Sequence, residues 1–189
     1  GHHVLEVFSE TTGTGAVRLA LRTVSANSQP IALAPTATDA ISTAYAIDRW
    51  SLTLADPTLV SVDVITTSNV AGLGWILQDS LGATLATSGT SLVDGERIPL
   101  AAGTYLLEID GETSATGTYS LRVLEVEDLE VDTTVGATVP LTFAAPGQLA
   151  RVHFPATEGQ RVVLDPVAGN AAGYGWSLVD EASGDVLLN

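Results

Sequence analysis

The stretch GTYLLEIDGETSATGTYSLRVLEV, residues 103–126, alternates apolar and polar side chains on both sides of a turn rich in Gly, Thr and Ser. In its second half Tyr119, Leu121 and Val123 are separated by single polar residues. A period of two is typical of half-buried antiparallel strands, and small polar residues between two such runs mark a turn. The stretch therefore predicts a β-hairpin with one face in a core.

The same alternation recurs along the chain in short runs rich in Val, Thr and Leu, separated by clusters such as ADPT, TTSN and VDGE. About seven or eight such runs fall within a hundred residues, and no stretch has a convincing helical period. Strands at this density predict an all-β fold, a β-sandwich of two antiparallel sheets with a jelly-roll or Ig-like course.

An internal repeat of about 102 residues organises the sequence. GHHVLEVFSETTGTGAVRLALRTV, residues 1–24, matches residues 103–126, and the same shift places residues 49–64 on residues 151–166. After a slip of one residue, AGLGWILQD (71–79) matches AGYGWSLVD (172–180). One register over nearly the whole chain indicates tandem structural units.

The repeat predicts three segments. Residues 1–24 are interpreted as the closing hairpin of a preceding repeat, residues 25–126 as a complete β-sandwich repeat, and residues 127–189 as the front part of the next repeat. A sandwich without its last hairpin exposes strand edges and an open core. We therefore expect residues 1–24 to cover an incomplete unit.

The composition excludes several classes of function. The chain has 22 acidic and 7 basic residues and a formal charge of −15, which disfavours nucleic acids and anionic lipids as partners. No apolar run is long enough to span a membrane, so no membrane insertion is expected. With no cysteine in the sequence, disulfides, metal–thiolate sites and thiol catalysis are excluded.

A resemblance to a known family rests on three stretches: DRWSLTLADPTLVSVDV, GWILQDSLGATLAT and LAAGTYLLEIDGETSATGTYSLRV. Together they resemble the bacterial pre-peptidase C-terminal domain over most of residues 45–126, with gapped matches in residues 149–189 and 1–24. The resemblance implies a secreted β-sandwich appended to proteases and large surface proteins, some relatives of which bind collagen, polysaccharide or calcium. The shared motifs are structural and not catalytic.

No catalytic constellation is recognisable, and the sequence predicts a protein that is not an enzyme. His153 is the one histidine away from the N-terminus, and it is expected on the solvent side of a strand. No G-x-S-x-G motif accompanies it. The recurrent Trp75 and Trp176 could stack on a sugar ring, but core packing is the favoured interpretation for both and for Trp50.

No resident cofactor is expected, apart from a candidate Ca²⁺ site. The acidic stretch EVEDLEVD at the junction of two units offers carboxylate oxygens, which Ca²⁺ prefers. The alternative, and the favoured one, is a solvated and self-repelling linker. Asp110, Glu112 and the pair Asp63 and Asp165 are weaker candidates. The Ca²⁺ candidates at the junction are Glu125, Glu127, Asp128, Glu130 and Asp132.

Three arrangements remain open for residues 1–24: closure of the same chain, insertion into another copy, or a place in a longer tandem array. We expect an extracellular or bacterial cell-surface protein with a structural or adhesive role, whose partners are copies of itself joined head to tail. The alternative is an accessory module that binds an extracellular glycan or matrix protein for a secreted hydrolase. The residues expected to drive assembly are Val4, Leu5, Val7, Val17, Leu19 and Leu21.

Overall fold

Every regular secondary-structure element in the described part of the chain is a β-strand. The structure is a computed structural model that describes residues 1–9, 14–19, 21, 26–66, 72–111, 114–167 and 173–188. By its contacts the chain divides into a first unit, Gly1–Val126 with Ala145–Gly147, and a second unit, Glu127–Ala144 with Gln148–Asn189.

The first unit contains nine strands among its described residues, one or two more than the sequence predicts. They are β1 (Ala26–Ile31), β2 (Ala37–Ile41), β3 (Ile47–Leu54), β4 (Thr58–Thr66), β5 (Leu73–Gln78), β6 (Thr84–Thr87), β7 (Gly95–Leu100), β8 (Gly103–Gly111) and β9 (Gly117–Glu125).

Two sheets make up this unit. One has the order β1-β3-β8-β5-β6 and the other the order β2-β9-β4-β7. All neighbours are antiparallel except β1 and β3, which run parallel. Buried residues from both sheets form one core, so the predicted all-β sandwich is confirmed.

The alternation of buried and exposed side chains along the strands puts the core on the faces that the sequence predicts. On β8 and β9 every second residue is buried, and Leu107 and Leu121 are completely inaccessible. Trp50 and Trp75 also lie in this core, which confirms their predicted structural role.

A buried hydrogen-bond network crosses the core. Trp50 Nε1 donates to the hydroxyl of Tyr119 over 2.9 Å, and that hydroxyl donates to Asp48 Oδ2 over 2.8 Å. Burial raises the pKa of Tyr119 well above its ordinary value. Burial also raises the pKa of Asp48, while the Tyr119 hydrogen bond acts in the opposite direction. Strand β3 of one sheet is thus tied to β9 of the other.

The second unit has four short strands among its described residues, which form two separate pairs. The first pair, β10 and β11, is parallel, and the second pair, β12 and β13, is antiparallel. Their bounds are β10 (Leu129–Asp132), β11 (Ala150–His153), β12 (Leu178–Val179) and β13 (Val186–Leu188).

One strand pair of the second unit repeats a pairing of the first. Asn27 pairs with Asp48 between β1 and β3, and Leu129 pairs with Ala150 between β10 and β11, which is a shift of 102 residues in both strands. Strands β12 and β13 stand at the sequence positions of β5 and β6, but their pairing differs by one residue, with Leu178 opposite Leu188. The agreement in register is therefore limited to the first pair of strands.

The turns that follow β5 and β12 also correspond. Asp79 Oδ1 accepts from the amides of Leu81 and Ala83, and Asp180 Oδ1 accepts from the amides of Ala182 and Ser183. Hydrogen bonds from Ser183 lower the pKa of Asp180. Each aspartate thus organises a hairpin turn by the same side-chain mechanism.

No helix long and apolar enough to cross a membrane occurs among the residues that the structure describes.

Candidate functional site

The six apolar residues expected to drive assembly are all exposed. They lie in residues 1–24, here called the head segment, and none of the described residues of this segment belongs to a strand. Leu5, one of the least exposed of the six, still has 60% of its surface accessible. The hairpin therefore remains a prediction for the head segment when it is bound to a partner. The other five are Val4, Val7, Val17, Leu19 and Leu21.

Five of the six correspond to core residues of β8 and β9. Moving 102 residues along the sequence takes them to positions that are at most 1% exposed in the first unit. Val4 is different, because its counterpart Leu106 is only half-buried on the other face of β8. Val4 therefore belongs to the outer face of the expected strand. The five buried counterparts, in order, are Leu107, Ile109, Tyr119, Leu121 and Val123.

The second unit has an open core. Val62 is completely buried in the first unit, whereas its counterpart Leu164 is 60% exposed. Trp75 is 1% exposed, whereas its counterpart Trp176 is 51% exposed, so the prediction of a core position for Trp176 is wrong in this chain. Exposed large apolar side chains, where they form a contiguous patch, mark interaction surfaces.

The difference between the two tryptophans has a specific structural cause. Trp75 Nε1 donates to the Val93 carbonyl over 2.8 Å, and Gly95 lies against the Trp75 ring so closely that a Cβ would overlap it. Trp176 makes neither contact among the described residues.

The second unit has no counterpart of β8 among its described strands. In the first unit β8 lies between β3 and β5 and pairs with both. Their counterparts β11 and β12 share no common neighbour within the described residues. By the repeat, the segment that matches β8 is residues 1–9, the start of the head segment.

Charged residues surround His153 on β11. Arg151 Nη1 lies 2.8 Å from Glu130 Oε1, and His153 Nε2 lies 2.7 Å from Glu130 Oε2. Glu181 is 3.4 Å from the other ring nitrogen of His153. The hydrogen bond with Glu130 raises the pKa of His153, and the bonds from His153 and Arg151 lower the pKa of Glu130. His153 is one-third exposed and is paired with carboxylates, which the sequence did not predict.

The junction carboxylates are not gathered into one cluster. Glu125 ends β9, while Glu130 and Asp132 lie on the exposed face of β10, so the linker interpretation is wrong for Leu129–Asp132. Asp128 Oδ1 accepts the amide of Leu149 over 3.1 Å, and Glu127 contributes its carbonyl to Gln148. No group of three or more potential metal ligands is found in the described ranges.

The weaker Ca²⁺ candidates are also dispersed. Asp63 Oδ2 accepts from Arg122 Nε over 2.6 Å, across β4 and β9. Asp110 is half-buried on β8, and Asp165 is exposed in the second unit. Glu112 lies outside the described residues.

Comparison with known proteins gives matches among solved structures. No family model and no curated protein matches the chain. The pre-peptidase C-terminal domain of a collagenase from Bacillus anthracis is 19% identical, with a TM-score of 0.42 over 55% of this chain and 99% of that domain. A periplasmic inhibitor of g-type lysozyme from Aeromonas hydrophila is 14% identical, with a TM-score of 0.39 over 53% of this chain and 99% of the inhibitor.

These likenesses concern the fold alone. One of them is a pre-peptidase C-terminal domain, the family that the sequence resembles. The buried network of Asp48, Trp50 and Tyr119 was not predicted, because the strand pattern identifies buried rings but not the partners of their polar atoms.

Proposed function

We propose that this protein is a non-enzymatic, extracellular or cell-surface repeat module with a structural or adhesive role. Its second unit receives the head segment of another copy, and repetition of this contact gives head-to-tail fibres. One observation carries the proposal. Apolar residues are exposed both in the head segment and in the second unit, and their counterparts in the first unit are buried against each other.

The mode of assembly is strand complementation. Residues 1–9 of one copy enter between β11 and β12 of the next, as β8 lies between β3 and β5. Main-chain hydrogen bonds supply affinity, and side chains at alternate positions supply specificity. Each Leu or Val that becomes buried contributes about 1.5–3 kcal/mol to the binding free energy. The loss of translational and rotational entropy on association opposes this gain.

The charge distribution favours contact between the head segment and residues 127–189 over contact between two copies of residues 127–189, which are acidic. The head segment has two arginines, Arg18 and Arg22, and two glutamates, Glu6 and Glu10, and is neutral overall. Residues 127–189 carry nine acidic residues and two arginines, a net charge of −7. A neutral head segment approaches this surface without the repulsion that two such bodies exert on each other.

Sedimentation velocity over a range of concentrations tests the proposal with a matched pair of variants. Leu5→Asp places a charge at the position of the buried Leu107 and should abolish assembly. Phe8→Asp, the control, removes an exposed apolar ring but restores the residue type of its counterpart Asp110, so assembly should persist. Equal loss in both variants would indicate unspecific hydrophobic association and would contradict the proposal.

Deletion of residues 1–24 is the second test. The shortened chain should remain monomeric at concentrations where the full chain polymerises, and electron microscopy should show filaments for the full chain alone. Unchanged polymers after the deletion would rule out strand complementation by the head segment.

A second candidate function, a glycan-binding accessory module, is favoured by one surface feature. A groove of about 390 Å³ on the first unit is lined mostly by polar side chains, among them Ser28, Ser51, Gln78 and Thr104. Its one aromatic lining residue is Tyr105, which is buried, so the groove offers no exposed ring for stacking on a sugar. A strictly monomeric chain that is retained by insoluble polysaccharide would favour this function over the fibre.

A further inference from the structure

The closing hairpin of the first unit and the head segment differ at one core position, where the first has Tyr119 and the second has Val17. Building on the proposed function, we infer that the head segment is selective for the apolar acceptor of the second unit. The first unit, with its partly buried Asp48 and its buried Trp50, rejects it. The selectivity comes from one buried hydroxyl, present at Tyr119 and absent at Val17.

The first unit needs that hydroxyl. Tyr119 is 1% exposed, and its hydroxyl accepts a hydrogen bond from Trp50 Nε1 and donates one to Asp48. Trp50 itself is buried, and within the described residues its indole N–H has the Tyr119 hydroxyl as its partner. A closing strand without the hydroxyl leaves a buried donor and a partly buried carboxyl unpaired, which is unfavourable.

The second unit has lost the partners of that hydroxyl. A shift of 102 residues takes Asp48 to Ala150 and Trp50 to Val152, both half-buried on β11. The same shift takes Tyr119 back to Val17 in the head segment. All three polar members of the network are therefore replaced by apolar residues, and the replacements are split between the second unit and the head segment.

This division is expected if the head segment closes the second unit. Val17 matches Ala150 and Val152, because none of the three requires a hydrogen bond. A hydroxyl at residue 17 would have no partner there and would be buried unsatisfied. Conversely, Val17 placed over Asp48 and Trp50 would orphan both of their polar groups.

The side-chain volumes change in a compensating way. The second unit and head segment have smaller residues where the first unit has Trp50 and Tyr119. They have larger ones elsewhere in the core pattern: Phe154 stands for Leu52, Tyr174 for Leu73 and Leu21 for Val123. Cores tolerate such redistribution when the total volume is kept. The two units therefore specify different interiors.

The inference also explains how two closing hairpins on one chain avoid exchange. Residues 103–126 carry Tyr119 and remain on the body that has Asp48 and Trp50. The head segment carries Val17 and is directed to a second unit. Mismatch by one orphaned polar group corresponds to about tenfold weaker binding or more, which is enough to set the direction of assembly.

The test compares Tyr with Phe at residue 17 of the full-length chain on two acceptors, with sedimentation equilibrium as the readout. On the wild-type acceptor, V17Y should assemble about tenfold more weakly than V17F, because the two differ only in the hydroxyl. On the acceptor A150D/V152W the order should reverse, with V17Y assembling more tightly than V17F.

Each outcome is decisive. Equal assembly of V17Y and V17F on the wild-type acceptor overturns the inference while leaving the fibre itself in place. If A150D/V152W does not fold, as judged by circular dichroism, the comparison of V17Y with V17F on the wild-type acceptor still tests the inference. A wild-type chain that is monomeric at all concentrations contradicts the proposed function and, with it, the inference. Val17 is 69% exposed in the isolated chain, so neither substitution should alter the melting of the first unit.

Discussion

Arg49 and Glu108 face each other directly across β3 and β8, with Arg49 Nε 3.1 Å from Glu108 Oε1. In the second unit the counterpart of Arg49 is Arg151, which in the isolated chain pairs with Glu130. The counterpart of Glu108 is Glu6 of the head segment. Strand complementation in the register of the first unit therefore places Glu6 of one copy opposite Arg151 of the next.

Cysteine cross-linking tests this register. The chain contains no cysteine, so Glu6→Cys with Arg151→Cys introduces the only two thiols. Directly opposed residues have Cβ atoms about 4.5–5.5 Å apart, which is close enough for a disulfide after a small adjustment. Mild oxidation should give a ladder of covalent multimers on a non-reducing gel.

The control moves one thiol by two residues on the same face. In the first unit Ser51 opposes Leu106, so His153 is expected opposite Val4. The pair Glu6→Cys with His153→Cys should therefore cross-link poorly, and the pair Val4→Cys with His153→Cys should cross-link well. A ladder of equal intensity from all three pairs would mean that the strand has no fixed register.

A matched glycine pair tests the difference between the two units. A Cβ on Gly74 would fall on the Gly89 carbonyl oxygen, whereas a Cβ on its counterpart Gly175 meets nothing within 4 Å. Gly74→Ala should destabilise the first unit by about 3 kcal/mol, because a backbone atom cannot move aside easily. Gly175→Ala should change stability by less than about 0.5 kcal/mol.

Denaturant unfolding followed by tryptophan fluorescence measures both variants, since Trp75 reports the core of the first unit. If Gly175→Ala were as destabilising as Gly74→Ala, the second unit would be closed in the isolated chain, contrary to its exposed Trp176.

The sequence predicts the sandwich and its core because alternation is a local property. Leu121, Val123 and Trp75 are all assigned correctly from their neighbours in the chain. The repeat extends the same prediction to the head segment, where it assigns five core-equivalent positions. It also explains the one exception, Val4, whose place in the alternation puts it on the outer face.

Failures of the sequence-based interpretation involve contacts between distant residues. Trp176 has a local sequence similar to that of Trp75, but burial of Trp75 depends on Val93 and Gly95, which are supplied from elsewhere in the chain. The pairing of His153 with Glu130 depends on the parallel register of β10 and β11, which no local pattern specifies. The strand at Leu129–Asp132 forms despite its charge, because alternation points both acidic side chains outward.

The protonation of His153 gives a prediction on pH. The groups around it are Glu130 and Glu181, with Arg151 on the same strand and Asp132 as its register partner. Because the pKa of His153 is raised on folding, its contribution to stability is complete below its ordinary pKa of about 6.5 and is lost as pH rises through the folded value.

An NMR titration of the His153 ring should therefore give a midpoint above the ordinary value. Glu130→Gln should lower that midpoint, because it removes the carboxylate that makes the largest contribution. Glu181→Gln should have a smaller effect. A midpoint unaffected by Glu130→Gln would show that the ion pair does not form in solution.

Trp176 provides a direct signal for assembly. In the first unit Trp75 lies opposite Ile109 across β5 and β8, so Trp176 is expected opposite Val7 of an incoming head segment. Trp50 and Trp75 are already buried, which leaves Trp176 as the one tryptophan accessible to a quencher in the isolated chain. Acrylamide quenching should therefore fall as concentration rises through the assembly range.

The protection should be partial, because the neighbours that correspond to Val93 and Gly95 do not come from the head segment. Leu5→Asp should keep quenching high at all concentrations, and Trp176→Phe should remove the concentration-dependent part of the signal. Oligomers in which Trp176 stays fully quenchable would show that assembly uses a different surface.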